Sequence, residues 1–157
     1  MITTEEIKAL LKDREALALT MMGEARGEGR EGLIAVGCVV RNRLARPTRY
    51  GRTWRDVCLR RRQFSCWDAI GGVDNFEATR AAAERLVSGF RPRPGSSLTL
   101  CLSIADDFID GKPIADVTNG ADHYCTTALM LTRAPGWTLP PAKKVAEIGN
   151  HVFFRVP

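Results

Sequence analysis

Residues 31–46 read EGLIAVGCVVRNRLAR and carry the clearest structural signal in the chain. Their apolar side chains recur at the spacing of an amphipathic helix, with Arg41 and Arg43 on the outward face. Pro47 follows, and a proline restricts the residue before it to extended conformations. We therefore predict a helix over residues 31–46 that ends before Pro47.

Weaker signals on either side predict further short helices and a few strands. Each helix starts with a residue that can cap it, and the candidate caps are Thr3, Thr53, Asn75 and Ser97. A second helix, or a continuation of the first, is expected over residues 16–22. Residues 63–67 alternate polar and apolar side chains and predict a short strand or an extended loop. The strand candidates near the end are residues 122–125 and 151–154. Gly71 and Gly72 are expected to break the chain.

Length and composition indicate one folded domain over residues 1–157, and the pattern of elements predicts the α+β class, mainly helical, with a small sheet or hairpin. Hydrophobic residues make up 45% of the chain and charged residues 26%, which is ordinary for a globular protein. No apolar run is long enough to cross a bilayer. The first residues lack the pattern of a signal peptide, so we expect synthesis in the cytoplasm without one.

The net charge is +5, and arginine supplies most of the basic residues. A basic protein is attracted to polyanions, which include nucleic acid, lipid headgroups and the bacterial envelope. The five cysteines are widely spaced and form no C-x-x-C pair, which argues against a structural zinc site of the usual spacing. Several stand among apolar residues and are best interpreted as small buried hydrophobes, although one or two disulfides stay open for an exported protein.

Glu24 follows an apolar run, so its side chain can point into a cleft while its helix packs in the core. A sheltered carboxylic acid holds its proton closer to neutral pH, as a general acid requires. The alternative is a solvated acidic face with arginine partners. Gln63, Phe64, Ser65 and Trp67 combine aromatic and polar groups, as a sugar-binding cleft does, although the aromatic residues could also belong to the core.

Four motifs, taken in order, resemble the SleB/CwlJ family of cell wall hydrolases. They are EARGE at 24–28 with EGLIAVGCVVRNR at 31–43, QFS at 63–65, GADHY at 120–124 and IGNHVFF at 148–154. Trp137 stands where the family often has a tryptophan. The resemblance covers residues 16–155. Two departures are Cys125, where the family commonly has histidine, and Met22-Gly23, where Tyr-Ala is more usual.

The resemblance implies a lysozyme-like fold and cleavage of peptidoglycan glycan strands, with Glu24 as the catalytic acid and base. It favours a lytic transglycosylase in a phage-type endolysin, which would reach the host wall from the periplasmic side after release. A hydrolytic muramidase is the alternative, with Asp56 and Asp68 as candidates for a second carboxylate. We expect a monomer that binds bacterial peptidoglycan, with no metal, cofactor, nucleic acid or membrane anchor. The expected substrate-binding residues are Arg26, Glu28, Gln63, Phe64, Ser65, Trp67, His123, Tyr124, Trp137 and His151.

Two other classes of protein remain open at this point. A zinc amidase could use His123 and His151 as metal ligands. A basic module without enzymatic activity could bind nucleic acid or a wall polymer through its arginines.

Overall fold

The computed structural model describes residues 1–69 and 73–157, and it is mainly helical with one antiparallel sheet. This confirms the predicted α+β class. The helices are α1 (Thr4–Leu10), α2 (Asp13–Glu24), α3 (Gly29–Leu44), α4 (Pro47–Tyr50), α5 (Trp54–Leu59), α6 (Val73–Val87), α7 (Ser97–Ile109) and α8 (Thr127–Arg133). The strands are β1 (His123–Thr126), β2 (Lys143–Ile148) and β3 (His151–Arg155), and single 3-10 turns occupy Ser65–Trp67 and Gly136–Thr138.

The starts of α1, α5, α7 and α8 follow local capping chemistry. Thr3 and Glu6 form the predicted capping box of α1, and the Thr53 hydroxyl accepts a hydrogen bond from the backbone of α5. The cap of α7 is Ser96 rather than Ser97. Asn75 was predicted to cap α6, but this helix begins earlier, at Val73. Gly71 and Gly72 lie outside the described residues.

The segment at 63–67 is not the predicted strand or extended loop, because residues 65–67 form a 3-10 turn. Its alternating pattern misled because consecutive side chains, Cys66 and Trp67, are both buried. Arg43 is also placed differently from the prediction. It lies on the inward side of α3 with only 5% of its surface exposed.

The main core surrounds α2, whose residues Leu17, Leu19 and Met21 are fully buried. A second apolar cluster lies under the sheet and includes Val39 of α3 and Phe153 of β3. Because α3 supplies side chains to both clusters, it fixes the sheet relative to α2.

The strand order is β1-β3-β2, with His123 opposite Phe154 and Tyr124 opposite Phe153. Side chains alternate between the two faces of a sheet. Tyr124 and Phe153 therefore lie on the face turned toward the second apolar cluster, and His123 lies on the other face with Phe154. Sequence patterns missed β2, since its exposed lysines and a register shift between Lys144 and Ala146 obscure the alternation.

All five cysteines are buried and free, which confirms their interpretation as small core residues. Burial raises the pKa of the Cys38 and Cys101 thiols to about 11 and that of Cys58 to about 12. In the described part of the chain, the helices are too short or too polar to cross a membrane.

Candidate active site

Glu24 is the last residue of α2, and its carboxylate accepts three hydrogen bonds. Oε1 accepts one from the backbone N–H of Cys66 at 2.7 Å and one from the Ser65 hydroxyl at 3.1 Å. Oε2 accepts one from the Tyr124 hydroxyl at 2.7 Å. Donors from the 3-10 turn and from β1 therefore fix the carboxylate from two sides.

The 3-10 turn can reach Glu24 because residue 23 is glycine. A Cβ at Gly23 would stand 2.6 Å from the Cys66 Cβ and 2.7 Å from the Thr79 hydroxyl, so any side chain would push the turn away. On the other side of the turn, the Trp67 indole donates to the Thr20 hydroxyl at 2.9 Å. These contacts explain why the Cys66 N–H lies so close to the carboxylate.

Tyr124 joins the sheet to the Glu24 site. Burial of the Tyr124 hydroxyl, together with the negative charge of Glu24, raises the pKa of this phenol well above its ordinary value. The hydroxyl therefore keeps its proton and donates it in a hydrogen bond. Its ring contacts His151 edge-on, with 5.3 Å between the ring centres, and packs on Phe153.

Glu28 and His151 form a second hydrogen-bonded unit beside Tyr124. Nδ1 of His151 lies 3.1 Å from Oε1 of Glu28, and the backbone N–H of Asn150 donates to the same oxygen at 3.2 Å. Gly149 has a positive φ of 55°, and a Cβ there would overlap the Glu28 carboxylate. The turn between β2 and β3 is thus shaped to receive this glutamate, which orients the imidazole.

Arg43 lies behind these groups as a buried cation. Burial lowers the pKa of its guanidinium, but arginine keeps its charge in proteins. Nε donates to the Asp122 carbonyl at 2.8 Å, and Nη1 donates to the Gln63 side chain at 3.3 Å. The guanidinium also stands 4.7 Å from the centre of the Phe64 ring. Backbone acceptors and an aromatic face thus replace the water that an outward arginine would have.

A groove of about 780 Å³ opens in front of Glu24. Its volume falls in the usual range of ligand sites. The groove combines a carboxylate, a phenol, amides, an imidazole and cations with apolar surface from residues such as Leu129. Its lining residues are Glu24, Arg43, Arg62, Gln63, Ser65, Asp68, Asn75, Tyr124, Cys125, Thr126, Leu129 and His151. Such a surface suits a polar ligand rich in hydroxyl and amide groups.

The structure therefore gathers Glu24, Gln63, Ser65, Tyr124 and His151 at one groove, with Glu28 supporting it through His151. Phe64 and Trp67 do not provide the expected stacking surface. They are only 3% and 4% exposed, because the first packs against Arg43 and the second is bonded to Thr20.

Three other predicted site residues lie elsewhere. Arg26 is exposed and lines a different cavity, beside Met22 and Leu33, so it does not position Glu24 as expected. His123 and Trp137 contact each other on the far face of the sheet, with 4.9 Å between their rings. Both are therefore separated from the groove by the sheet itself.

The structure separates the two histidines of the zinc hypothesis, because His123 and His151 lie on opposite faces of the sheet. Across residues 1–69 and 73–157, no three His, Cys, Asp or Glu side chains are grouped closely enough to hold a metal ion. The arrangement does not fit a zinc amidase.

Sequence reasoning missed three parts of the site. The Cys66 N–H is a backbone group, to which no side-chain pattern points. Arg43 was assigned to the outward face. Asn75 was taken for a helix cap, yet its amide donates to the Gly23 carbonyl at 2.7 Å and its side chain lines the groove. Gly23 stands where the family more usually has alanine, and it was the one sign in the sequence that another segment packs closely beside Glu24.

The chain matches the family model described as Cell Wall Hydrolase over residues 27–154 of 157. It belongs to this family, and the predicted resemblance is confirmed. Searches of curated proteins and of solved structures returned no significant match. The matched range includes Glu28, Tyr124 and His151 and begins three residues after Glu24. The protein is a cell wall hydrolase that acts on peptidoglycan.

Proposed function

We propose that this enzyme cuts the glycan strand at the β-1,4 bond between N-acetylmuramic acid and N-acetylglucosamine, with Glu24 as general acid and then base. The observation that supports this proposal is the position of the Glu24 carboxyl. It faces the groove and is held by a phenol, a hydroxyl and a backbone N–H. A carboxyl so fixed is ready to pass a proton to a bound glycosidic oxygen.

In the first step, protonated Glu24 gives its proton to the glycosidic oxygen as the bond from that oxygen to muramic acid C1 breaks. The N-acetylglucosamine part leaves as an alcohol, and positive charge develops at C1 and the ring oxygen. The Tyr124 and Cys66 hydrogen bonds stabilise the carboxylate that remains. No partner has to move for this, because the donors are in place beforehand.

In the second step, the Glu24 carboxylate takes the proton from the C6 hydroxyl of the same muramic acid. The C6 oxygen forms a bond to C1 and closes a 1,6-anhydro ring. Glu24 is protonated again, and no water is consumed. One carboxyl group therefore suffices for this lytic transglycosylase route.

A muramidase is the second candidate, and Asp68 is the observation in its favour. Asp68 lines the groove with Glu24, whereas Asp56 lines a separate cavity beside Tyr50. Asp68 could therefore activate a water or act on the sugar as the second carboxylate of a glycosidase.

The two routes differ in their products. We expect purified peptidoglycan digested by this protein to yield fragments that end in 1,6-anhydro-muramic acid. These fragments are about 18 Da lighter than hydrolysed ones, because no water is added to them. Mass spectrometry distinguishes them. Reducing muramic ends would favour the muramidase route, and cleavage confined to the peptide stems would contradict a glycosidase altogether.

We also propose that the enzyme acts as a monomeric, phage-type endolysin on the periplasmic side of the wall. Its net charge of +5 favours the anionic envelope. If the protein has this role, we expect its expression in the cytoplasm to lyse host cells only when a pore-forming membrane protein is expressed with it. Lysis that does not depend on the pore would contradict the proposal, and sedimentation of the purified protein tests the monomer.

A further inference from the structure

The groove in front of Glu24 continues along the surface. A neighbouring cavity of about 650 Å³ shares Arg62 and Asp68 with it. A third cavity, of about 810 Å³, adjoins the second around Lys8 and extends to Arg52. Because each cavity shares lining residues with the next, we treat the three as one path along which a long polymer bound at Glu24 can extend.

Four exposed arginines line this path beyond Glu24, and we call them the basic track: Arg52, Arg60, Arg61 and Arg62. In the described part of the chain they take part in no ion pair, whereas Arg14, Arg46 and Arg80 each do. Arg60 donates one hydrogen bond to the Arg49 carbonyl at 2.8 Å, and the basic track otherwise presents guanidinium groups without a carboxylate partner in the described part of the chain, which suits an external anion.

Arg62 has an unusual backbone. Its φ is 64°, in the left-handed region that disfavours residues with a side chain. It lies in a tight turn in which the Gln63 N–H donates to the Arg60 carbonyl at 3.2 Å. Glycine would suit this position better, yet an arginine stands there, where the groove meets the next cavity. A side chain kept in this conformation where two cavities meet supports a role for it in binding.

We propose that the basic track binds the carboxylates of the peptide stems carried by muramic acid residues along the bound glycan strand. The enzyme would then prefer stem-bearing peptidoglycan to bare glycan. This inference rests on the proposed glycan cleavage at Glu24. Arginine matches it chemically, since a guanidinium binds a carboxylate through two parallel hydrogen bonds.

The acids along the path favour peptide stems over nucleic acid. Glu5, Asp56 and Asp68 lie among the arginines. A phosphodiester chain carries only negative charge and would be repelled by them. Peptide stems carry both carboxylates and the amines of a diamino acid, so mixed charges on the protein suit them.

The test compares two matched substrates, glycan strands with their stems and the same strands after an amidase has removed the stems. The wild-type protein is expected to cleave the stem-bearing strands faster. The double variant Arg61→Gln/Arg62→Gly should reduce the ratio of the two rates roughly tenfold, mainly through KM. The KM for stem-bearing strands should also rise with salt for the wild type, because salt screens exposed ion pairs.

The matched control is Arg91→Gln/Arg93→Gln, which removes the same charge from an exposed loop away from the path. It should leave the ratio at the wild-type value. Arg62→Gly alone should lower the ratio without lowering the thermal midpoint, because it relieves the left-handed strain. If the double variant fails to fold, Arg52→Gln provides the same comparison.

The outcomes separate this inference from the proposed function. If the wild type cleaves neither substrate, the proposed glycan cleavage is wrong. If wild type and variants cleave both substrates with one unchanged ratio, the peptide-stem inference is wrong while the proposed function stands. Loss of binding to duplex DNA in the double variant, with the ratio unchanged, would also overturn it and assign the track to a polyanion.

Discussion

Two hydrogen-bonded carboxylates lie on opposite sides of the small sheet, and their donors differ in kind. The three donors described for Glu24 are neutral, and its carboxylate faces the groove. Asp122 is 2% exposed and is held by the Arg46 guanidinium at 2.6 Å, by His123 at 3.0 Å and by the Val156 N–H at 2.9 Å. One carboxylate lines a groove, and the other is buried and paired with a partly exposed arginine.

The pKa of Asp122 reflects its surroundings. Burial alone would raise it, but the hydrogen bonds from His123 and Val156 and the charge of Arg46 outweigh burial, so the pKa lies below its ordinary value. Asp122 therefore stays an anion and joins Val156 to Arg46, which follows α3, and to His123, the first residue of β1. A carboxylate held by neutral donors can exchange a proton without breaking an ion pair.

Strand β1 serves both carboxylates through neighbouring residues. Tyr124 points to one face and binds Glu24, while His123 points to the other and binds Asp122. The comparison teaches that one strand supplies hydrogen-bond donors both to the proposed catalytic carboxylate and to a structural one. Substitutions should therefore separate activity from stability according to the face they affect.

The largest expected effect is on activity. Glu24→Gln should fold normally and lose cleavage of purified peptidoglycan by about 10²–10⁴-fold, since the amide cannot give or take the proton. Release of soluble fragments measures this, with circular dichroism as the folding check. Glu147→Gln, at an exposed glutamate paired with Lys144, is the control and should keep activity. A folded Glu24→Gln that still cleaves would remove Glu24 from the acid role.

Asp122→Asn should mainly affect stability. It removes the carboxylate that pairs with Arg46, which keeps its hydrogen bond to the Val156 carbonyl. We expect the free energy of unfolding to fall by about 2–3 kcal/mol, below the usual cost of breaking a buried pair because Arg46 is 38% exposed. Urea denaturation measures the loss. The fraction that remains folded should keep its cleavage rate, and a large loss of rate at unchanged stability would erase the contrast between the two carboxylates.

The only two tyrosines of the chain offer a matched pair for the next effect. Tyr124→Phe removes a hydrogen bond to Glu24 and should slow cleavage roughly tenfold, the effect of about 1.5 kcal/mol. Tyr50→Phe removes a buried hydroxyl that has no hydrogen-bond partner in the described part of the chain, and it should leave the rate unchanged. Initial rates at saturating substrate test both. Equal rates for the two variants would argue against a role of the phenol.

The smallest expected effect is a change in stability at acidic pH. The pKa of Asp122 is lower in the folded protein than its ordinary value of 3.8. The Asp122 carboxylate therefore stabilises the fold fully at pH values above 3.8, and this stabilisation is lost as the pH falls through the lower, folded-state pKa. The difference in unfolding free energy between wild type and Asp122→Asn should therefore shrink as the pH falls below 3.8. Urea titrations at several pH values measure it, and a difference that stays constant into strong acid would contradict this account.

The sequence predicted the parts of the molecule that local rules determine. The 3.6-residue pattern predicted α3, and the capping box predicted the start of α1. Ordered motifs predicted the family, and Glu24 was correctly expected beside a groove. The lysozyme-like fold and the roles of the groove residues stay predictions.

The errors occurred where tertiary contacts override local preference. Phe64 and Trp67 were expected in the cleft, but a segment of five residues is too short for its periodicity to show which side is buried. Arg43 was expected outside, as charged residues usually are, and is buried because carbonyl oxygens and aromatic rings receive its guanidinium. Such compensation depends on residues distant in the chain, which a single sequence does not connect.

The buried cysteines make local unfolding of the protein measurable by thiol alkylation. A thiol reacts with an alkylating reagent only as the thiolate and only when the reagent can reach it. Cys58 and Cys66 have no exposed surface, and burial raises the pKa of the Cys58 thiol to about 12, so both are shielded while the chain is folded, whereas Cys125 lines the groove. The rate at which each buried thiol is alkylated at neutral pH therefore reports how often the core around it unfolds locally.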